Sequence, residues 1–321
     1  MAKRAPSVTA LSSRTLRAVV IWSVTLLIFG FAALLIVRQW SSFQQSLEVL
    51  RESDLWLGIA AFGCIALAVA GGALVYRYVA LRRATYGSLL AVSWAGMLVN
   101  RLLPAGVGGI GLFVDYFLRR GHKPFEASGV VALSGILTLL GHVALLCIVL
   151  GFGLTSAHIS LSLPAWAPAV VLIVVALLLF SISMFRGQIS TRVKQWRREL
   201  QLPFSRLIKS PRSFALAQSG ALLNTLSHAG ALYLAMLACG LDLSLADALV
   251  VLAGGVLAAT ASPTPGGLVG AEAGLTGAMV LFGAHPTDAL AAALLYRLVS
   301  YWIPLFFGAF ALVLSRRKGY I

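Results

Sequence analysis

Two Pro- and Gly-rich stretches set charged residues inside otherwise apolar sequence, and any chemistry this chain performs has to be sought there. The sharper one reads Ala261-Ser-Pro-Thr-Pro-Gly-Gly-Leu-Val-Gly-Ala-Glu272. Pro263 and Pro265 remove backbone donors, while Gly266, Gly267 and Gly270 allow close approach. Such a backbone has to lie within protein or beside a wet cavity, not against lipid tails. Glu272 is the one acid deep in the second half, and a carboxylate inside a membrane costs roughly 2.5 kcal/mol or more without a partner or a proton. Arg297, in the last apolar run, is its natural partner, and Tyr301 follows one helical turn later on the same face. The pair reads either as a brace that ties the broken segment down or as a site that handles cargo.

The first half offers Asn100-Arg101-Leu-Leu-Pro104-Ala-Gly106-Val-Gly108-Gly109-Ile-Gly111, with Asp115 a helical turn further. Asn100 and Arg101 fall near the tip of this second break, where an anionic headgroup can be held. Asp115 is better placed to pair with Arg119, four residues on, as an interface anchor. His142, Asn224 and His228 are isolated polar residues within long apolar runs, a pattern that serves hydrogen bonds between neighbouring helices.

The elements that position these residues follow from composition. Of 321 residues 60% are hydrophobic and 11% charged, which excludes a water-soluble core and shell. The net charge of +15 would suggest nucleic acid in a soluble protein. Here the basic residues cluster between apolar runs, as cytoplasmic loops facing anionic lipid do, so no nucleic-acid partner is expected. Ala18 to Val37 is too long for a signal-peptide core and reads as an uncleaved first span. Further apolar runs cover Trp56 to Tyr76, Ser88 to Leu103, Ala127 to Gly153, Pro164 to Met184, Phe214 to Cys239, Asp247 to Ser262 and Ala289 to Leu314. The expectation is an all-α polytopic membrane protein, a single integral domain over 1–321, with about eight transmembrane helices.

Pro104 to Leu118 and Pro263 to Phe282 each follow one of the two shortest runs. A run of roughly 16 residues reaches only about 24 Å, against a bilayer core of about 30 Å. Each pair therefore predicts a Gly/Pro-rich re-entrant hairpin. Returning the chain to the cytoplasm at these points keeps Arg119, Arg120 and Lys123 on the same side as Arg77, Arg82 and Arg83. It also keeps both termini inside, together with a basic loop over 186–213. Within that loop Ile189, Val193, Trp196 and Leu200 recur at helical spacing, the pattern of an amphipathic helix on the inner leaflet.

An internal repeat supports this map. Gly121-His-Lys-Pro124-Phe-Glu126-Ala127 and Gly283-Ala-His-Pro286-Thr-Asp288-Ala289 share Gly-x-x-Pro-x-acid-Ala, each after a hairpin and before a long helix. Ser88 precedes Pro104, and Asp247 precedes Pro263, by the same 16 positions. The halves, about 18–153 and 164–314, then carry opposite orientations, the inverted-repeat plan of many transporters.

Signatures of hydrolytic, nucleotide-binding or metal-dependent catalysis are missing, and no metal site or cofactor is expected. Cys64, Cys147 and Cys239 lie far from Cys-x-x-Cys spacing and read as small buried hydrophobes.

The two hairpins carry a resemblance to a known family. Asn100, Pro104, Gly106 and Gly109 with Arg119-Arg120-Gly121, then Pro263-Thr-Pro-Gly-Gly267 with Glu272, Gly283, Leu295-Tyr-Arg297, Tyr301-Trp-Ile-Pro304 and Gly308, resemble the flippase-like membrane region of the lysylphosphatidylglycerol synthase family. The resemblance covers most of the chain and extends to the members that lack the synthase domain. It implies binding or translocation of a lipid supplied by another protein. The sequence ends at Ile321 without an aminoacyl-transferring domain, so lipid aminoacylation is not expected of it.

The leading expectation is thus a flippase-like protein of the cytoplasmic membrane that moves an anionic phospholipid, an aminoacyl-phospholipid or a glycosyl or isoprenoid lipid. Its substrate-binding or gating residues would be Asn100, Arg101, Pro104, Gly106, Gly109, Pro263, Pro265, Gly266, Gly267, Glu272, Arg297 and Tyr301. An intramembrane lipid-modifying enzyme with Glu272 as base, and a scaffold for a lipid synthase or glycosyltransferase, are the alternatives. The distribution of Lys and Arg predicts that introduced cysteines near Trp196 are shielded from impermeant reagents in intact cells, while those near His158 and His285 are labelled. Strong labelling at Trp196 from outside would overturn the orientation.

Overall fold

A computed structural model describes residues 54–102, 107–155, 199–262, 267 and 269–321. Among these residues the regular structure is helical throughout. The helices are α1 (Leu55–Val79), α2 (Tyr86–Leu102), α3 (Val107–Arg119), α4 (Pro124–Gly151), α5 (Pro211–Ala238), α6 (Leu245–Ala261), α7 (Gly270–Leu281), α8 (Pro286–Arg297) and α9 (Ile303–Arg317). The expected spans at 18–37 and 164–184, and the amphipathic helix up to residue 198, lie outside the described residues.

Among the described residues four stretches are long and apolar enough to cross a membrane: α1, α4, α5 and the continuous 32 residues from Pro286 to Arg317. The helix starts follow ordinary capping chemistry. Asp54 accepts the Trp56 N–H at 2.8 Å, and Ser244 and Asp247 satisfy each other's backbone donors ahead of α6. Pro124, Pro211 and Pro286 each occupy the first turn of their helix, where no N–H is needed.

The predicted hairpins are helix–break–helix units. α2 and α6 have 17 residues each, about 26 Å, while α3 has 13 and α7 has 12, about 20 and 18 Å. Within each unit the arms run antiparallel. Ser88 on α2 meets Tyr116 on α3 at 2.7 Å, and Gly108 lies against Val99. Gly255 faces Leu275, and Gly274 faces Ala258, across α6 and α7. The sequence repeat takes the same turn in both copies. Gly121 (φ 81°) and Gly283 (φ 88°) end one helix in the left-handed region, and the proline three residues later starts the next.

A close backbone crossing joins α1 and α5. A Cβ on Gly71 would lie 2.6 Å from the Gly220 carbonyl oxygen, and one on Gly220 would lie 2.8 Å from that of Gly71. Asn224 Nδ2 donates to Ala68 O at 2.7 Å beside this crossing, and Gly230 faces Cys64 further along, so the two helices run antiparallel. Small residues let the backbones approach where lipid gives apolar side chains no reason to associate. α9 packs on α2 in the same way, with Gly308 against the Trp94 carbonyl and Leu98. The rings of Phe62, Trp94 and Phe307 fill the space beside that contact, at centroid separations of 5.1–6.2 Å.

The part of the basic loop that is described is held against the bundle. Leu207 is buried, and Arg206 donates to the carbonyls of Ala80 and Leu81 in the α1–α2 connection. That connection is also pinned by buried His122, whose Nε2 accepts the Arg82 N–H at 3.2 Å while Nδ1 lies 3.1 Å from Phe117 O. Nδ1 therefore carries the proton, and burial pushes the His122 pKa below the ordinary histidine value.

Two expectations change. The run Ala289 to Leu314 is not one regular helix, because a π-helical turn, Leu298–Trp302, separates α8 from α9. The cysteines are not uniformly buried: Cys64 and Cys239 are half-buried and Cys147 is exposed on α4, because hydropathy cannot separate a lipid-compatible surface from an interior.

The α1–α5 crossing generates a stability test. Gly71→Val is expected to cost about 2 kcal/mol or more, since its Cβ meets backbone that cannot yield. Gly63→Ala on the same helix, where nothing lies within 4 Å, is expected to be neutral or to stabilise by about 0.5–1 kcal/mol. Thermal unfolding of both variants in one detergent checks this, and equal melting of the two would contradict it.

Candidate functional site

Arg101, Glu272, Arg297 and Tyr301 come together although they belong to four separate elements. Arg297 ends α8 with only 8% of its surface exposed. Its guanidinium carbon lies 4.4 Å from the centre of the Tyr301 ring, and that of Arg101, from the end of α2, lies 4.8 Å from the same ring. One aromatic face system thus serves two cations, each contact contributing about 2 kcal/mol where water is excluded.

The π turn explains how Arg101 is held. In a regular helix the Ser300 carbonyl would accept from residue 304, but Pro304 has no N–H to give. The ladder shifts instead, with the Ile303 N–H bonding to Leu298 O. The released Ser300 carbonyl receives Arg101 Nη2 from the other half of the chain, while Arg101 Nη1 donates to Met97 O at 2.9 Å. A proline that would only kink an isolated helix here prepares an acceptor for a buried cation.

Glu272 occupies the first turn of α7. Its Oε2 accepts the Val269 N–H at 3.2 Å, and its Oε1 faces Arg297 Nε at 3.6 Å. At 3.6 Å the contact is an ion pair but not a hydrogen bond. Arg297 Nε and Nη2 accordingly have no hydrogen-bond partner among the described residues. Among the described residues two guanidiniums stand against one carboxylate, one negative charge short of balance.

The remaining expected residues separate. Asn100 Oδ1 caps the start of α3 by accepting the Gly109 N–H at 2.5 Å, and a Cβ on Gly109 would meet that amide at 2.6 Å. These two residues join the arms of the first break, a role the sequence did not suggest. Gly267 (φ 64°) is buried against Ala259, where a Cβ would lie 2.7 Å from the alanine methyl. Pro104, Gly106, Pro263, Pro265 and Gly266 lie outside the described residues. Asp115 pairs with Arg119 at 2.9 Å, and both side chains are about half exposed, so the pair contributes little to stability. Among the described residues no group of His, Cys, Asp or Glu side chains is gathered to hold a metal.

Sequence reasoning missed Tyr296, whose hydroxyl lies 3.3 Å from His228 Nδ1 across α8 and α5, an interhelical contact of the kind expected for that histidine. Tyr296 precedes Arg297, and its adjacency to a buried charge was the available signal.

Antiparallel broken helices, long apolar helices and a cationic cluster buried among them define an integral membrane region with a polar interior site. The sequence model of the lysylphosphatidylglycerol synthase transmembrane region matches residues 10–308, and the chain belongs to that family. No curated protein matches the chain.

Val269 offers a local test. It is the one described non-glycine residue with positive φ, at 68°, a conformation that strains a β-branched side chain by about 1–3 kcal/mol. Val269→Gly is expected to raise stability by about 1 kcal/mol after the entropy glycine adds to the unfolded chain. Unchanged or lower thermal stability would remove the strain from this turn.

Proposed function

We propose that the chain binds an anionic lipid and carries it across the cytoplasmic membrane, with both termini cytoplasmic and no enzymatic step of its own. The observation that carries this reading is Arg297, buried, with no hydrogen-bond partner for Nε and Nη2 among the described residues and with Arg101 on the same aromatic ring. A phosphodiester supplies what the cluster lacks, one negative charge with acceptor oxygens spaced for guanidinium donors. The acyl chains stay in lipid while the headgroup is sheltered.

Two features of the fold support translocation. The arms of the helix–break–helix units are shorter than a bilayer core of about 30 Å, as re-entrant hairpins are. α1 and α5, which hold equivalent places in the two halves, run antiparallel, as an inverted repeat requires. The lipid itself would come from a separate lipid-modifying enzyme.

The test is movement of a fluorescent phosphatidylglycerol in reconstituted vesicles, with thermal stability followed in parallel. Glu272→Gln and Arg297→Leu alone are each expected to destabilise, because each strands a buried partner. The double variant is expected to regain stability yet move lipid at least about tenfold more slowly than wild type, a loss of about 1.4 kcal/mol. Full recovery of movement in the double would make the pair a brace and defeat the assignment.

A further inference from the structure

A cavity of about 500 Å³ lies between α1, α4, α5, α6 and α8, next to the arginine cluster. The two meet on α8, where Tyr296 lines the cavity and Arg297, the next residue, belongs to the cluster. The polar lining is Tyr76, Ser134, Thr138, His142, Asn224, Thr225, His228 and Tyr296, set among glycines and aliphatic side chains. Ser134, Thr138 and His142 recur at every fourth position, forming one stripe along α4.

The state of these groups describes what they can take. Ser134 and Thr138 spend their hydroxyl protons on Val130 O and Ser134 O, at 2.8 and 3.0 Å. Their oxygens keep acceptor capacity. Asn224 Nδ2 gives one of its protons to Ala68 O, which leaves its second N–H and its side-chain carbonyl. His228 and Tyr296 engage each other, and the neutral imidazole of His142 has one donor and one acceptor nitrogen. The described lining contains no Asp, Glu, Lys or Arg.

A cationic group placed there would be desolvated with no carboxylate to meet it, while the nearby Arg101 and Arg297 would repel it. A neutral headgroup carrying hydroxyls suits the lining, because each hydroxyl donates to an acceptor already oriented by its helix.

We propose that this cavity is a headgroup-cap site that selects phosphodiester lipids whose cap is neutral and hydroxyl-bearing, such as glycerol, inositol or a hexose, and rejects caps bearing an ammonium group. The assignment rests on the arginine cluster taking the phosphate, since that fixes one end of the headgroup beside Tyr296, which lines the cavity.

The test compares dioctanoyl phosphatidylglycerol, phosphatidylethanol and lysyl-phosphatidylglycerol binding to the purified full chain. The first two have the same charge and differ in cap hydroxyls. Phosphatidylglycerol is expected to bind about tenfold more tightly than either, the yield of two net hydrogen bonds. Thr138→Val combined with His142→Leu is expected to bring phosphatidylglycerol down to the phosphatidylethanol level and leave phosphatidylethanol unchanged. Gly135→Leu gives a second route should that pair fail to fold. Gly135 lines the cavity and nothing lies within 4 Å of its Cβ position, so leucine enters without a backbone clash and should abolish the same preference. Equal affinity for phosphatidylglycerol and phosphatidylethanol, or tightest binding of the lysyl lipid, overturns the cap site but leaves phosphate binding at the arginines standing. Binding of none of the three, or binding unaffected by Arg297→Leu, removes both.

Discussion

A guanidinium buried in an apolar helical bundle cannot draw on water, and the local architecture around Arg297 answers that constraint. Its charge is met by the quadrupole of Tyr301 and by a carboxylate at the start of a broken helix. Supplying the carboxylate requires a helix that begins inside the bundle, which α7 does and an uninterrupted span could not. Supplying the ring requires Tyr301 to sit within the π turn, and that turn exists where Pro304 interrupts the backbone ladder. The second cation, Arg101, is anchored by the carbonyl this interruption releases. One buried charge thus connects the break in α6–α7, the proline in α9 and the tip of α2.

How much of this was legible in the sequence depends on whether a feature is local. Glu272, Arg297, Tyr301 and Arg101 stood out because ionisable residues in apolar runs are costly and few. Helix existence followed hydropathy closely: the run Trp56 to Tyr76 became Leu55–Val79, and Phe214 to Cys239 became Pro211–Ala238. The π turn was not legible, since Pro304 alone signals a kink. Its consequence depends on a donor 199 residues away. Asn100 reads as a headgroup contact from its place beside Arg101, yet its carbonyl is committed to the Gly109 N–H. The stripe of Ser134, Thr138 and His142 was present in the sequence. Each residue alone resembles an interhelical hydrogen-bonding group, and only the four-residue period joins them.

The glycines divide by the same logic. Gly71 and Gly220 bring two backbones together, whereas Gly63 and Gly135 meet nothing within 4 Å. Composition cannot separate these cases, because a glycine's effect depends on what stands opposite. In a membrane that difference matters more than in water, since packing replaces the hydrophobic drive between helices. The antiparallel contact of α1 and α5 therefore depends on the absence of side chains at two positions more than on any attractive pair.

The geometry of Glu272 bears on whether the cluster is a brace. A brace would gain most from a bidentate Arg–carboxylate fork, in which both oxygens satisfy guanidinium donors. Here one oxygen is spent on the Val269 backbone, in a left-handed conformation that valine adopts at a cost, and the other stops 3.6 Å from Nε. Burial makes each unspent donor expensive, on the order of 1–3 kcal/mol apiece, so leaving Nε and Nη2 unsatisfied is the opposite of what stability alone favours. A second carboxylate would balance the charge and close the donors, and none is placed against them among the described residues. The arrangement holds the cation in position while keeping part of its hydrogen-bonding capacity unused, which is the condition for exchanging one anionic partner for another without rebuilding the site.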